Sequence, residues 1–174
     1  GSCSSNTTSA TTDNNTISLN SLSDNTYSDC TITVTDNANN SVTLNISSFT
    51  IDSVSPTVSS ISPTDNQGGV PISDNITVTF SEAMDTTSVT TNTSNTTCSG
   101  SFELSSDNFS SCVQMSSSPT SSNSYKTFTV DPSDNLSYPN TYKIRVTTGV
   151  KDAVGNTLSS QYETSSGFTT GNNW

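Results

Sequence analysis

The apolar residues of this chain fall in short runs that alternate with Ser and Thr. Alternation with a period of two is typical of β-strands that have one buried face. The runs predict strands at residues 16–22, 26–36, 41–52, 76–85, 101–104, 111–115, 126–131, 141–148 and 166–170. Asn, Asp, Gly and Pro lie between them as turn residues, and no amphipathic helix of useful length is found. We therefore predict an all-β fold built from antiparallel β-sandwiches.

A proline-containing stretch at residues 53–75 separates the chain into two parts. Proline removes a backbone donor, so this stretch suits a linker followed by a first edge strand. We predict a partial domain at residues 1–53 and a complete domain at residues 54–174. The first part has about half of the residues that a full sandwich needs. We expect it to be the C-terminal half of a domain; the alternative is a domain completed by strands from another chain.

Two stretches of the sequence resemble each other across these parts. "DNTYSDCTITVTDNANN" at 24–40 parallels "PNTYKIRVTTGVKDAVGN" at 139–156, and each is followed by a strand with a Phe. In both stretches Asn-Thr-Tyr opens a strand and an Asp turn closes it. A repeated strand, turn, strand unit predicts two related domains in tandem.

Composition narrows the classes of function. Only 28% of the 174 residues are hydrophobic and roughly 40% are Ser or Thr, which fits strands with hydroxyls on their solvent face. The net charge of -11, with four cations, argues against binding to nucleic acid or to an anionic membrane surface. The absence of His removes the most common general base and zinc ligand. The sequence contains no run of 18 apolar residues, so we predict no membrane insertion in this segment.

The four cysteines, Cys3, Cys30, Cys98 and Cys112, allow three disulfide pairings. The local pairing, Cys3 with Cys30 and Cys98 with Cys112, keeps each bridge inside one part of the chain. A zinc site is the competing interpretation, but no CxxC spacing occurs. We expect disulfides, and therefore an oxidising, extracytoplasmic location.

The quoted stretches resemble those of bacterial immunoglobulin-like domains. The second part opens "SPTDNQGGVPISDNITVTFSEAMD" and closes "YKIRVTTGVKDAVGNTL" before "GFTT", and "NTYSDCTITVTDNANN" resembles the closing strands of a related repeat. Asn39 departs from the usual Gly of the turn, but Asn tolerates the left-handed conformation. The resemblance implies a β-sandwich module of bacterial surface or secreted proteins, strung in arrays.

The same resemblance implies calcium at domain junctions. Calcium takes oxygen ligands from carboxylates and carbonyls, and the candidates are Asp36 in the hairpin turn, Asp52 in the linker and Asp65 at the neighbouring pole of the second domain. In the alternative interpretation Asp36 makes a local turn and Asp52 is solvated.

Two further groups of residues are candidates for chemistry. Glu82 and Asp85, near Asp74, are carboxylates of the type used by glycosidases. Trp and Arg, which usually line a sugar cleft, are almost absent from the sequence, so we predict no enzymatic activity. Tyr27 and Tyr142 each open a late strand. We expect them to be structural tyrosine corners rather than sugar platforms.

The remaining aromatic residues, Tyr125, Tyr138, Tyr162 and Trp174, could serve glycan binding only if they converged on one face. Sequons such as those at Asn45, Asn75 and Asn108 are expected by chance in this composition. We therefore predict a structural or adhesive repeat module at the bacterial cell surface or outside the cell, whose partners are neighbouring repeats. The alternatives are a glycan-binding adhesin domain and a filament subunit that completes its first domain by strand exchange.

Overall fold

The computed structural model describes residues 3–6, 8–11 and 14–171. The chain divides into two compact units, residues 1–53 (unit 1) and 54–174 (unit 2). The described residues form β-sheets, antiparallel apart from one strand pair, and no helix, which confirms the predicted all-β class. Accordingly, they include no helix long and apolar enough to cross a membrane.

The described residues of unit 1 form two strand pairs. Its strands are β1 (Asn25–Tyr27), β2 (Thr31–Thr35), β3 (Ser41–Asn45) and β4 (Phe49–Ile51). β1 pairs antiparallel with β4, and β2 pairs antiparallel with β3. Each long run predicted from the sequence is therefore split in two, because its two halves belong to different sheets.

The strand predicted at 16–22 is wrong. Leu19 makes only an isolated bridge with Ser5, and Ile17 and Leu19 remain partly exposed. Apolar alternation alone does not make a strand here, since a strand needs a neighbour along its whole length to satisfy its backbone groups.

Unit 2 is a two-sheet sandwich. Its strands are β5 (Val58–Ser62), β6 (Val70–Pro71), β7 (Ile76–Phe80), β8 (Phe102–Ser105), β9 (Thr120–Ser122), β10 (Thr127–Val130), β11 (Thr141–Val146), β12 (Tyr162–Glu163) and β13 (Phe168–Gly171). One sheet has the order β5-β7-β10-β9; the other has the order β12-β11-β13-β6, with β8 also paired to β11. Among the described residues of unit 2, β6 and β13 run parallel and the other strand pairs are antiparallel.

The core of unit 2 lies between these sheets. β7 and β10 contribute Phe80 and Phe128, whose rings meet edge to face with centroids 5.9 Å apart. Phe102, Ile144 and Phe168 enter the same buried cluster from the other sheet. Buried positions alternate with less buried ones along β7, β10 and β11, so each of these strands sends every second residue into the core.

The polar positions of the same strands pair on the outer face. The hydroxyls of Thr77 and Thr129 are 3.1 Å apart, and those of Thr79 and Thr127 are also 3.1 Å apart. Such cross-strand Thr pairs contribute a few tenths to about 1 kcal/mol each. The high Thr content of the chain thus serves the sheets directly.

The sequence did not predict three of the strands, β6, β9 and β12, and misassigned residues 111–115. β5 lies in the stretch where a first edge strand was expected, and it forms an edge of its sheet. Within residues 111–115 only Met115 makes a bridge, to Pro132. β6 and β12 have two residues each, too short to show alternation. β9 is wholly polar and exposed, so no apolar pattern marks it.

We predict that Phe128→Ala lowers the free energy of unfolding of unit 2 by about 3 to 5 kcal/mol, because it leaves a cavity between the sheets. Urea denaturation at neutral pH measures the change. Val154→Ala, at a half-exposed position, is the control and should change stability little. An equal effect of both substitutions would contradict the placement of the core.

Candidate functional site

Asp36, the first predicted calcium ligand, closes the turn between β2 and β3. One carboxylate oxygen accepts the backbone N–H groups of Ala38 and Asn40 at 2.8 and 2.9 Å, and the other accepts the Asn40 side-chain amide at 2.9 Å. The Asn40 side-chain donor is the main cause that lowers the pKa of Asp36. The carboxylate therefore serves the turn.

Asp152 closes a second, similar turn in unit 2. Its Oδ1 accepts the N–H groups of Val154, Gly155 and Asn156, and its Oδ2 accepts the Asn156 amide at 2.8 Å. Burial raises the pKa of Asp152, but these donors outweigh it and the pKa lies below its ordinary value. Both turns place their fourth residue at positive φ: 66° at Asn39 and 107° at Gly155. The predicted tolerance of Asn39 is thus observed.

Asp65, the second calcium candidate, joins distant parts of unit 2. Its carboxylate accepts the Ser165 N–H and hydroxyl, at 3.1 and 2.7 Å, and the N–H groups of Ser166 and Gly167, at 3.0 and 2.6 Å. The Ser165 hydroxyl is the main cause that lowers its pKa. This carboxylate fixes the chain that leads into β13.

Asp52, the third candidate, directly follows β4 in unit 1 and is partly buried. A cation at Asp36 or Asp65 would compete with the protein donors just described. The calcium interpretation of Asp36, Asp52 and Asp65 stays a prediction.

The two predicted tyrosine corners are built alike. The Tyr27 ring stacks on Phe49 with centroids 5.4 Å apart, and the Tyr142 ring stacks on Phe168 with centroids 5.8 Å apart. Each hydroxyl binds backbone a few residues upstream: Tyr27 donates to the Ser23 carbonyl, and Tyr142 accepts from the backbone N–H group of Ser137, both at 2.9 Å. Both tyrosines are buried, so neither presents a ring to a sugar.

Asp74, Glu82 and Asp85 are the carboxylates near β7, and Glu82 lies on the same side of the strand in sequence as Asp85. Asp74 precedes β7 and Asp85 follows it, so a strand rising roughly 3.3 Å per residue separates them. The Asp85 carboxylate accepts the Thr87 N–H and hydroxyl at 2.9 and 2.7 Å. It closes a local turn, as Asp36 does.

An ion pair that the sequence did not predict lies beside the second disulfide. Glu103 on β8 is buried, and its Oε2 accepts both Nε and Nη2 of Arg145 on β11 at 2.7 Å. The guanidinium carbon of Arg145 also lies 3.9 Å from the centroid of the Phe109 ring. The sequence did contain one sign of this ion pair. Arg145 is one of only four cations in the chain, and it lies between two apolar residues of a strand.

The loop that carries Phe109 is closed covalently and by hydrogen bonds. The structure contains both local bridges, Cys98–Cys112 and Cys3–Cys30. Inside the Cys98–Cys112 loop, Asp107 accepts the N–H and hydroxyl of Ser111 and the hydroxyl of Ser105. The Ser111 hydroxyl, first among these donors, lowers the pKa of Asp107 to about 2. The result is a loop fixed at both ends.

The aromatic residues considered for glycan binding differ in exposure. Tyr125 and Tyr138 are exposed, whereas Tyr162 lies in β12 and is partly buried. Trp174 lies outside the described residues.

Comparison with known proteins gives a family match. A family profile described as bacterial Ig-like domain matches residues 52–170. No curated protein matches the chain. Similar solved structures include domains 1–6 of the surface-layer protein SbsC, at 22% identity and a TM-score of 0.47, and a crystal structure of the S-layer protein rSbsC, at 23% identity and a TM-score of 0.46. Each comparison covers 70% of this chain and 14% of the other, so the chain spans a small part of those proteins.

We predict that stability falls as the pH drops from the ordinary Asp value of 3.8 to about 2. A carboxyl whose folded pKa is depressed stabilises the fold above its unfolded pKa, and this contribution is lost as the pH falls through the folded pKa. Asp107→Asn removes the contribution of that residue. Urea denaturation should show the variant to be less stable at pH 7, with a difference that shrinks toward pH 2. Asp134→Asn, at an exposed loop position, is the control; a D107N deficit that is independent of pH would contradict the prediction.

We predict that replacing Cys98 and Cys112 together by Ala lowers the free energy of unfolding by about 3 kcal/mol, because the bridge closes a loop with a sequence separation of 14. Urea denaturation without reductant provides the measurement. Ser106→Ala, at an exposed position in the same loop, should leave stability unchanged. A double variant as stable as the parent would show that the bridge does not restrain the unfolded chain.

Proposed function

We propose a structural role for this chain, which belongs to the family of bacterial immunoglobulin-like domains. The chain is a non-catalytic module of a bacterial surface or secreted protein, and it carries mechanical load between its neighbours. Two disulfides support an oxidising location outside the cytoplasm. The carboxylates of Asp65, Asp107 and Asp152 support a structural role, since each is engaged by donors of its own fold.

The parallel pairing of β6 with β13 is the observation that carries the proposal. β6 lies near the start of unit 2 and β13 near its end, with Thr170 opposite Val70 and Gly171 opposite Pro71. Tension applied to the two ends would pull these parallel strands past each other. Their hydrogen bonds would then be loaded together in shear, whereas a hairpin pulled at its open end loses its bonds one at a time. This arrangement suits a module that transmits tension.

Residues 1–53 are, in this proposal, part of a second domain of the same kind. The Thr26 and Thr50 hydroxyls lie 3.0 Å apart across β1 and β4, and the Thr141 and Thr169 hydroxyls lie 3.2 Å apart across β11 and β13. The tyrosine corners and the Asp turns described above repeat in the same order along both units. Such agreement at several levels supports a tandem array whose partners are neighbouring repeats.

We predict that Gly171→Ala lowers the force at which unit 2 unfolds when the full chain is pulled from its ends. A Cβ at Gly171 would lie 2.6 Å from the Cα of Gly69, so the variant pushes β13 away from β6 and weakens the sheared contact. Single-molecule force spectroscopy measures the unfolding force.

Gly68→Ala is the matched control, because a Cβ there meets nothing within 4 Å. It lies in the same segment and should leave the unfolding force unchanged. Urea denaturation of both variants separates a mechanical effect from a general loss of stability. If the two variants unfold at the same force, the β6–β13 pair does not bear the load.

A further inference from the structure

The Cys3–Cys30 disulfide connects residue 3 directly to the start of β2. Cys30 lies one residue before β2, and the bridge spans a sequence separation of 27. β1 lies inside the bridged segment, whereas its partner β4 lies outside it. A covalent bridge holds under a tension that breaks hydrogen bonds. Force applied at the N-terminal end therefore passes from Cys3 to Cys30 and not along the segment between them.

The register of β1 against β4 decides how this force reaches the pair. The strands are antiparallel, with Asn25 opposite Ile51 and Tyr27 opposite Phe49. Force transmitted towards the C-terminus pulls β4 from its Ile51 end. Force that arrives through Cys30 pulls β1 from its Tyr27 end, because that end is nearer to Cys30 in the sequence. The two strands are thus pulled from opposite ends, and their contacts are loaded together in shear.

Without the bridge the same strands would be unzipped. Force would then travel along residues 4–24 and would reach β1 at Asn25, which lies opposite Ile51. Both strands would be pulled from the same end, and their residue pairs would separate one after another. The disulfide therefore changes the direction in which β1 is pulled and leaves the hydrogen bonds of the pair as they are.

The contacts that the shear would load include more than backbone pairing. Asp24 Oδ2 accepts the N–H group and the hydroxyl of Ser53 at 3.1 and 2.9 Å. This contact extends the pair by one step at the open end of β1. The Thr hydroxyl pair and the stacked aromatic rings described above join the same two strands. Together these contacts connect residues 24–27 to residues 49–53.

The β2–β3 hairpin lies behind this pair of strands along the path of the force. At the base of the hairpin the Ile46 N–H donates to the Cys30 carbonyl at 2.8 Å. Residues 28–29 connect β1 to Cys30, and residues 47–48 connect Ile46 to β4. β1 and β4 therefore hold the base of the hairpin closed for as long as they stay paired. Once they separate, the hairpin is pulled at its open end and unzips.

The equivalent position of unit 2 is also tied to an earlier segment, but not covalently. Cys30 follows the corner tyrosine Tyr27 by three residues. Arg145 follows Tyr142 by three residues, and the buried carboxylate of Glu103 holds it. In unit 2, β13 also pairs with β6 in parallel, whereas in the described part of unit 1 β4 pairs with β1 alone. A sheared connection through β4 in unit 1 therefore requires the bridge.

We propose that the Cys3–Cys30 disulfide directs tension so that the β1–β4 pair is the mechanical clamp of unit 1, with the β2–β3 hairpin as a length reserve behind it. The inference rests on the proposed load-bearing role of the chain. When the clamp breaks, residues 31–53 become available for extension, while residues 4–29 stay inside the closed bridge. Unit 1 thus yields by a limited, fixed length.

Single-molecule pulling of the full chain from two attachment points tests the direction of loading. One handle is fixed at residue 174, and the other is placed either at residue 1 or at residue 21, where an azide-bearing amino acid replaces the exposed Ser21. Both preparations keep the disulfide. We expect the rupture force of unit 1 to be about two to three times higher from residue 1, because three residue pairs share the load instead of one. Equal forces would overturn the proposal.

Two matched pairs of variants, pulled from residue 1, locate the clamp. Thr26→Val with Thr50→Val removes a hydroxyl pair 3.0 Å apart within the clamp and should lower the rupture force of unit 1. Thr33→Val with Thr43→Val removes a hydroxyl pair 2.9 Å apart in the hairpin and should leave that force unchanged. If the hairpin variant lowers the force as much as the clamp variant, the hairpin bears the load and the proposal is wrong.

Replacement of Cys3 and Cys30 together by Ala removes the bridge. Pulled from residue 1, this variant should rupture at the force measured from residue 21 in the bridged chain. Its extension should grow by 27 residues, roughly 90 Å of extended chain. An unchanged force together with this longer extension would contradict the proposal. Amide hydrogen exchange shows whether β1 and β4 still pair in the variant; if they do not, the two attachment points decide, since they need no change at either cysteine.

The length released identifies the unit that breaks. Unit 1 with its bridge closed releases only residues 31–53, fewer than unit 2 can release. The Gly171 variant reports on the β6–β13 pair of unit 2, whereas the attachment points and the Thr variants report on unit 1. A failure of the clamp is therefore distinguishable from a failure of the load-bearing role of unit 2.

Discussion

The sandwich of unit 2 depends on alternation of apolar and polar side chains along its strands, because only 28% of the chain's residues are hydrophobic. In β7 and β10 the polar positions are Thr. A shift of one residue in the pairing of β7 would turn Ile76, Val78 and Phe80 toward solvent and bring Thr77 and Thr79 inward. The Thr pairs across β7 and β10 oppose such a shift, since they fix the register from the outer face. These Thr residues thus help to fix the register of β7 against β10, although their own side chains lie on the outer face of the sheet.

Carboxylates specify the connections in the same way that Thr specifies the strands. Asp36, Asp65, Asp107 and Asp152 each accept several hydrogen bonds from a loop or turn, and the pKa of each is lowered as a result. A charged acceptor makes stronger hydrogen bonds than a neutral one, so a single residue can hold a turn without a large apolar contact. A carboxylate that already accepts several hydrogen bonds is a poor general base, because its lone pairs are occupied and its pKa is low.

Sequence reasoning predicted features whose interacting residues are close together in the sequence. It did not predict features whose interacting residues are far apart in the sequence. β7, β10 and β11 were predicted because alternation is visible within each run, and the Asp36 turn because its donors lie within four residues. The Asp65 clamp joins residues 100 to 102 positions apart, and the Glu103–Arg145 pair joins residues 42 positions apart. Only the sheet topology brings these partners together, and a single sequence does not contain it.

The two hairpin turns show how far local determinants reach. Asp36 and Asp152 organise similar turns, yet the apolar pair that flanks the first turn, Val34 and Val42, is exposed, whereas the pair that flanks the second is buried. The hydrogen bond from the Asn side chain to the Asp carboxylate recurs in both turns, at 2.9 and 2.8 Å, so this bond does not depend on burial of the neighbouring apolar pair.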